Sequence, residues 1–148
     1  MHISVTRLHL RSLLFLYPFV RGTEAAIGQL RASAGFVSGR LLVDRWFTFW
    51  TVSAWDSAEA MRAFRDSGAH REIMPKLLDW CDEASVAAWT GEGLPDWSEV
   101  HTRMAQAGRP SRLKTSSRRH REAIIAPIRP TFPARPIAPF AGAAPAQA

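Results

Sequence analysis

A chain of 148 residues, 47% apolar and 22% charged, suits a single domain with a sizeable core. Its single cysteine, Cys81, excludes an internal disulfide and a cysteine-only metal site. The net charge of +6 belongs to one end: Met1 to Gly108 holds eleven Lys/Arg against twelve Asp/Glu, whereas Arg109 to Ala148 holds eight against Glu122 alone. The basic balance therefore gives no ground for reading the folded part as a nucleic-acid binder.

His2 to Leu10 reads as a first strand. Ile3 and Val5 share a face, but Arg7 then falls on that face, so a bulge or an early end is expected near Thr6 to Leu8. A helix follows from Tyr17 or Pro18 to Ala32, with Phe19, Thr23, Ala26, Ile27, Leu30 and Ala34 stepping by three and four. The apolar run Leu13 to Val20, broken by Pro18, falls well short of the ~20 residues of a membrane span. Arg7 and Arg11 before it faintly imitate a signal peptide, but no small-residue cleavage pattern follows. A cytoplasmic protein without a membrane partner is expected.

Phe36–Val43 and Trp46–Trp55 form a hairpin turning at Asp44-Arg45. In the second arm Trp46, Thr48, Trp50, Val52 and Ala54 share one face, and Phe47, Phe49, Thr51, Ser53 and Trp55 the other. Both faces are largely apolar, so neither should meet water. Two or three helices of a small domain cover one face, and a second copy of the chain is expected on the other. Asp56, with Glu59 three residues on, is read as the cap of a helix over Ser57–Asp66. A further helix is expected over Ala69–Asp82 with Pro75 inside it, a strand over Ala84–Thr90, and a helix capped by Asp96 and running to about Ala107. The order β-α-β-β-α-β gives an α+β, ferredoxin-like, four-stranded antiparallel sheet with an appended helix.

From Arg109 the pattern dissolves. Seven of the ten prolines lie there, and its apolar residues are scattered, so residues 109–148 read as a disordered basic tail after a domain of residues 1–108. Use of Arg118-Arg119-His120-Arg121 as a nucleic-acid arm is the sharper alternative and is not favoured.

The run Phe49 to Pro75, above all Trp50-Thr51, Ala54-Trp55, Glu59-Ala60-Met61-Arg62-Ala63-Phe64 and Ser67-Gly68-Ala69-His70-Arg71, resembles the antibiotic-biosynthesis-monooxygenase-like group of the dimeric α/β-barrel superfamily. The resemblance implies a homodimer whose sheets form a barrel, with a cavity between sheet and helices in each subunit. It also implies a small hydrophobic or aromatic ligand. Its better-known members oxygenate phenols or anthrones with neither metal nor cofactor, deprotonating the substrate in a dry pocket. On that reading His70 is the candidate base and Arg71 the group that steadies an anionic substrate. Trp50, Trp55, Phe49 and Phe64 would wall the ligand, and Thr51 and Ser53 would supply polar atoms. A non-catalytic binding module of the same fold is the rival.

Haem-degrading members carry a tryptophan on the second helix and an iron-binding histidine ten residues later. Here Phe64 and Met74 fall at those places, which disfavours haem degradation. A spheroidene-monooxygenase-like haem site with His70 as axial ligand is a minor reading. No other histidine pairs at a recognised metal spacing. Cys81, beside Trp80, reads as a small buried residue.

Overall fold

The computed structural model describes residues 1–143. Its sheet is built from β1 (His2–Leu10), β2 (Phe36–Asp44), β3 (Thr48–Trp55) and β4 (Cys81–Thr90), all antiparallel, in the order β4-β1-β3-β2. Helices α1 (Leu16–Ala32), α2 (Ala58–Arg65) and α3 (Gly68–Trp80) cover one face, and α4 (Trp97–Ala107) packs on the other. This is the expected ferredoxin-like core. A short β5 (Arg109–Pro110) extends it beside β4 and β6 (Arg135–Ile137) beside β2, making six strands where four were expected.

The two faces of β3 explain the two cores. Trp50, Val52 and Ala54 pack with Ile3, Val5, Val100 and Met104 under α4. Trp55, one pleat out of phase, packs with Ile27, Leu30 and Phe36 under α1. Both tryptophans are wholly buried. The Trp50 indole N–H, which burial would otherwise leave unpaired, donates to Asp44 Oδ2 at 3.1 Å.

The segment expected to be disordered is instead part of the fold. Ser111 N–H donates to the Ala84 carbonyl, Ser117 N–H to Asp82, and Thr131 N–H to Val43. His120, on the short helix α5 (Arg118–Arg121), donates from Nε2 to the Ser111 carbonyl and accepts the Ala84 N–H at Nδ1. Ile125, Ile128 and Ala134 press on the core beneath α4. The prolines do not forbid this, because Pro110 and Pro136 sit in edge strands, where a missing N–H breaks no inner ladder. The expected domain boundary at Gly108 thus falls within one packed unit. Residues 144–148 lie outside the described residues.

A second copy is not needed to shield the other sheet face. The chain's own α4 and C-terminal segment cover the sheet face assigned above to a second copy. The strand irregularity also moves: β1 runs in register through Arg7 and slips only between His9 and Leu10. Arg7 stays on the inner face because Glu83, on β4, neutralises it at 2.9 Å.

Two local expectations shift by a residue or two. Ser57, not Asp56, caps α2, its hydroxyl accepting the Ala60 N–H at 3.1 Å. The hairpin turns over Arg45–Phe47, with Trp46 and Phe47 both left-handed (φ 59° and 54°), so Trp46 leaves the strand for solvent. Asp96 caps α4 as expected, accepting the Glu99 N–H at 2.8 Å. Among the described residues, no helix is long and apolar enough to cross a membrane.

Candidate functional site

Between the sheet and α1–α3 lies a cavity of about 220 Å³. Its floor is the outward pleat of β1 and β3, where Ser4 pairs with Ser53 and Thr6 with Thr51. Four hydroxyls therefore form a small polar patch on the floor; the walls are largely apolar, with Ile27, Leu30, Trp55, Met61 and Phe64, and also carry Arg65, Ser85, Arg109 and Ser111. The volume lies below the ~300–1,000 Å³ usual for small-molecule sites. A compact ligand of one or two rings suits it as it stands, and a flat third ring requires the unbranched Met61 and Met74 on its wall to yield.

His70 reaches this cavity because the α2–α3 junction is pinned from α1. Gln29 Nε2 donates to the carbonyls of Phe64 (2.9 Å) and Ser67 (2.8 Å), and Gln29 Oε1 accepts the His70 backbone N–H at 2.8 Å. Gly68 makes the tight turn possible. Its φ of +56° is strained for any other residue, and a β-carbon there would stand 3.0 Å from the Gln29 side chain.

The ring of His70 stacks near that of Phe64, centroid to centroid 4.8 Å, and Phe64 lies 5.3 Å from Trp55. His70 Nδ1 is 2.9 Å from the Arg65 carbonyl, which can only accept, so the proton sits on Nδ1. Nε2 keeps its lone pair and bonds no group among the described residues. Burial lowers the imidazole pKa below its ordinary value, the Arg65 carbonyl opposing the shift without reversing it. At neutral pH the ring is a neutral base on the wall of an apolar cavity.

The other candidates divide. Trp55, Phe64, Thr51 and Ser53 line the cavity with His70. Ser53 Oγ already accepts the Trp55 indole N–H at 2.9 Å and reaches the Ser4 carbonyl at 3.4 Å, which leaves the hydroxyls of Ser4, Thr6 and Thr51 as the freer donors. Trp50 is on the opposite face of the sheet, under α4, and cannot touch a ligand here. Phe49 points to the cavity side but packs on Phe19 at 4.5 Å, outside the lining. Arg71 is exposed on α3, away from the cavity.

Several contributors were missed. Ser4 and Thr6 alternate with Ile3 and Val5, a pattern that marks a polar patch on the helix side of β1. Gln29 gives no local signal. Cys81 is buried and its thiol is pushed up to about 12, by burial first and Asp82 second, so it is inert. A haem macrocycle outsizes the cavity, so the residues present do not fit the haem reading.

No protein-family model matches the sequence, and no curated protein matches it. Solved structures share the fold. SnoaB, a cofactor-independent oxygenase from Streptomyces nogalater crystallised as a point mutant, is 16% identical with a TM-score of 0.53, the match covering 64% of this chain and 97% of that one. Rv0793 from Mycobacterium tuberculosis is 13% identical with a TM-score of 0.56, over 65% of this chain and 100% of the other. An antibiotic biosynthesis monooxygenase is 10% identical with a TM-score of 0.56, over 63% and 100%. At such identities the likeness establishes the fold, an α+β, ferredoxin-like architecture shared with these structures. Each match leaves more than a third of this chain without a counterpart.

Proposed function

We propose that this protein binds a compact hydrophobic, aromatic molecule between sheet and helices and oxygenates it without a cofactor, His70 acting as the base. The observation that carries this reading is the neutral His70 ring, its proton fixed on Nδ1 by the Arg65 carbonyl and its Nε2 left free at an apolar cavity. Nε2 would take a proton from an electron-rich phenol or anthrone, and the hydroxyls of Thr51 and Thr6 would hold the oxyanion. The carbanion then reacts with dioxygen; for an anthrone, loss of water from the resulting peroxide leaves the quinone. Enclosure by Trp55, Phe64 and Met61 keeps bulk water from reprotonating the carbanion.

The family name of structural neighbours such as SnoaB supports this reading only through the shared fold. Dioxygen uptake tests it: wild type should consume oxygen with at least one of a panel of anthrones and hydroxynaphthalenes, and His70→Ala should not. A wild type inert on the whole panel moves the reading to a non-catalytic binding module. One observation favours that second reading, for His70 also ties the α2–α3 junction together through Arg65 and Gln29.

A further inference from the structure

A second cavity lies on the opposite face of the sheet, and nothing in the proposed reaction uses it. It is a half-open cleft of about 650 Å³, where the ends of β1, β2 and β4 meet the C-terminal segment. Its carboxylates are already engaged. Asp44 Oδ1 accepts the backbone N–H groups of Arg45 (2.8 Å) and Arg129 (2.7 Å), and Oδ2 takes the Trp50 indole. Glu83 binds Arg7 at 2.9 Å and the Ser117 hydroxyl at 3.0 Å, and Asp82 lies 2.5 Å from His9 Nδ1.

Apart from Arg7, the arginines are not so engaged. Arg45, Arg119 and Arg129 all line the cleft, and among the described residues no carboxylate pairs with their guanidinium groups. On the floor Arg7 is 3% exposed, and its buried Nε has no partner. At the rim the turn holds Trp46 in a left-handed conformation, the residue 79% exposed. A bulky residue so placed costs on the order of 1 kcal/mol or more, and such outliers gather at ligand-binding sites.

We propose that this cleft binds a small anion carrying a flat ring, an aromatic phosphate or carboxylate. Its acid group meets the guanidinium groups of Arg45, Arg119 and Arg129, which offer planar, paired donors, and its ring stacks on the Trp46 indole. Two of the three arginines, Arg119 and Arg129, come from the basic C-terminal segment.

Calorimetric titration of the full chain tests this with 1-naphthyl phosphate, 1-naphthoate and inorganic phosphate. The naphthyl phosphate or the naphthoate should bind with a Kd below about 1 mM, more weakly as salt rises. The tighter of the two identifies the acid group. Arg119→Gln with Arg129→Gln should weaken binding at least about tenfold, as expected when charge-assisted bonds are lost. Trp46→Gly, which relieves the left-handed strain, should keep the melting temperature and weaken both naphthyl ligands about fivefold or more. His70→Ala should leave binding unchanged, which separates this cleft from the sheet–helix cavity. Absence of heat from both naphthyl ligands up to about 5 mM, binding that survives the arginine and tryptophan substitutions, or inorganic phosphate binding as tightly as the ring-bearing anions would overturn the proposal.

Discussion

Arg7 and Glu83, 76 positions apart, meet at 2.9 Å across the β1–β4 ladder with side chains only 4% and 7% exposed. Burial alone would raise the Glu83 carboxyl, but the Arg7 guanidinium and the Ser117 hydroxyl outweigh it and hold the group below its ordinary range. Removing one partner strands the other charge in the interior. Glu83→Ala should therefore cost about 3–5 kcal/mol in urea unfolding, whereas Arg7→Leu with Glu83→Leu should cost far less. Because the folded pKa is depressed, this stabilisation is present above the ordinary carboxylate value of about 4.3 and fades as pH falls through the folded value. Unfolding curves between pH 6 and pH 3 would show it as an acid limb that Glu83→Gln flattens.

The C-terminal segment should behave as structure. A chain ending at Gly108 loses the cover that Ile125, Ile128 and Ala134 give to the core beneath α4, and both sheet edges open. Its melting temperature should fall and light scattering should report self-association, while the full chain runs as a monomer at micromolar concentration. An unchanged melting temperature and mass after truncation would show the segment to be dispensable.

Two glycines of α1 should respond oppositely to alanine. A β-carbon at Gly28 meets no atom within 4 Å, so Gly28→Ala should stabilise by about 0.5–1 kcal/mol through helix propensity alone. At Gly22 the same β-carbon runs into the Ile73 side chain, which lines the cavity. Gly22→Ala should lose that gain and displace α3, seen as weaker binding of naphthol by the sheet–helix cavity. Thermal unfolding and a naphthol titration on the two variants decide it.

Activity should carry the pH signature of His70. Its folded pKa lies below the ordinary 6.5 because burial disfavours the charged ring. The neutral, proton-accepting form thus predominates at pH 7, and kcat/KM should rise from acid through a limb below pH 6.5 to a plateau. Stability moves the same way: with the folded pKa lowered, it diminishes as pH falls below 6.5 and the unfolded chain takes the proton first.

Alternation and capping made the βαββαβ core legible, since the Phe36–Trp55 hairpin and Asp96 carry their signals locally. The C-terminal segment was not, because its apolar residues stand singly among prolines and find partners only across the sheet. Arg7 looked like a break in the strand for a similar reason, its counter-charge lying on β4. With both pleats of β3 apolar, the sequence could not say which one faced a cavity, so Trp50 was grouped with Trp55. His70 stands out in the sequence because the Ser-Gly break sets it near a helix start, and it lines the sheet–helix cavity. Gln29, which holds it there, lies 41 positions away.

The central claim is that His70 is a neutral base presenting Nε2 to a ligand in the sheet–helix cavity. Long-range nitrogen–proton NMR spectra of the histidine rings, with His70 assigned by substitution, test it most directly. At pH 7 the Nδ1–H tautomer is expected, with an Nε2 resonance that moves when a hydroxynaphthalene is added. A charged ring at pH 7, or an Nε2 signal indifferent to every such ligand, would contradict it.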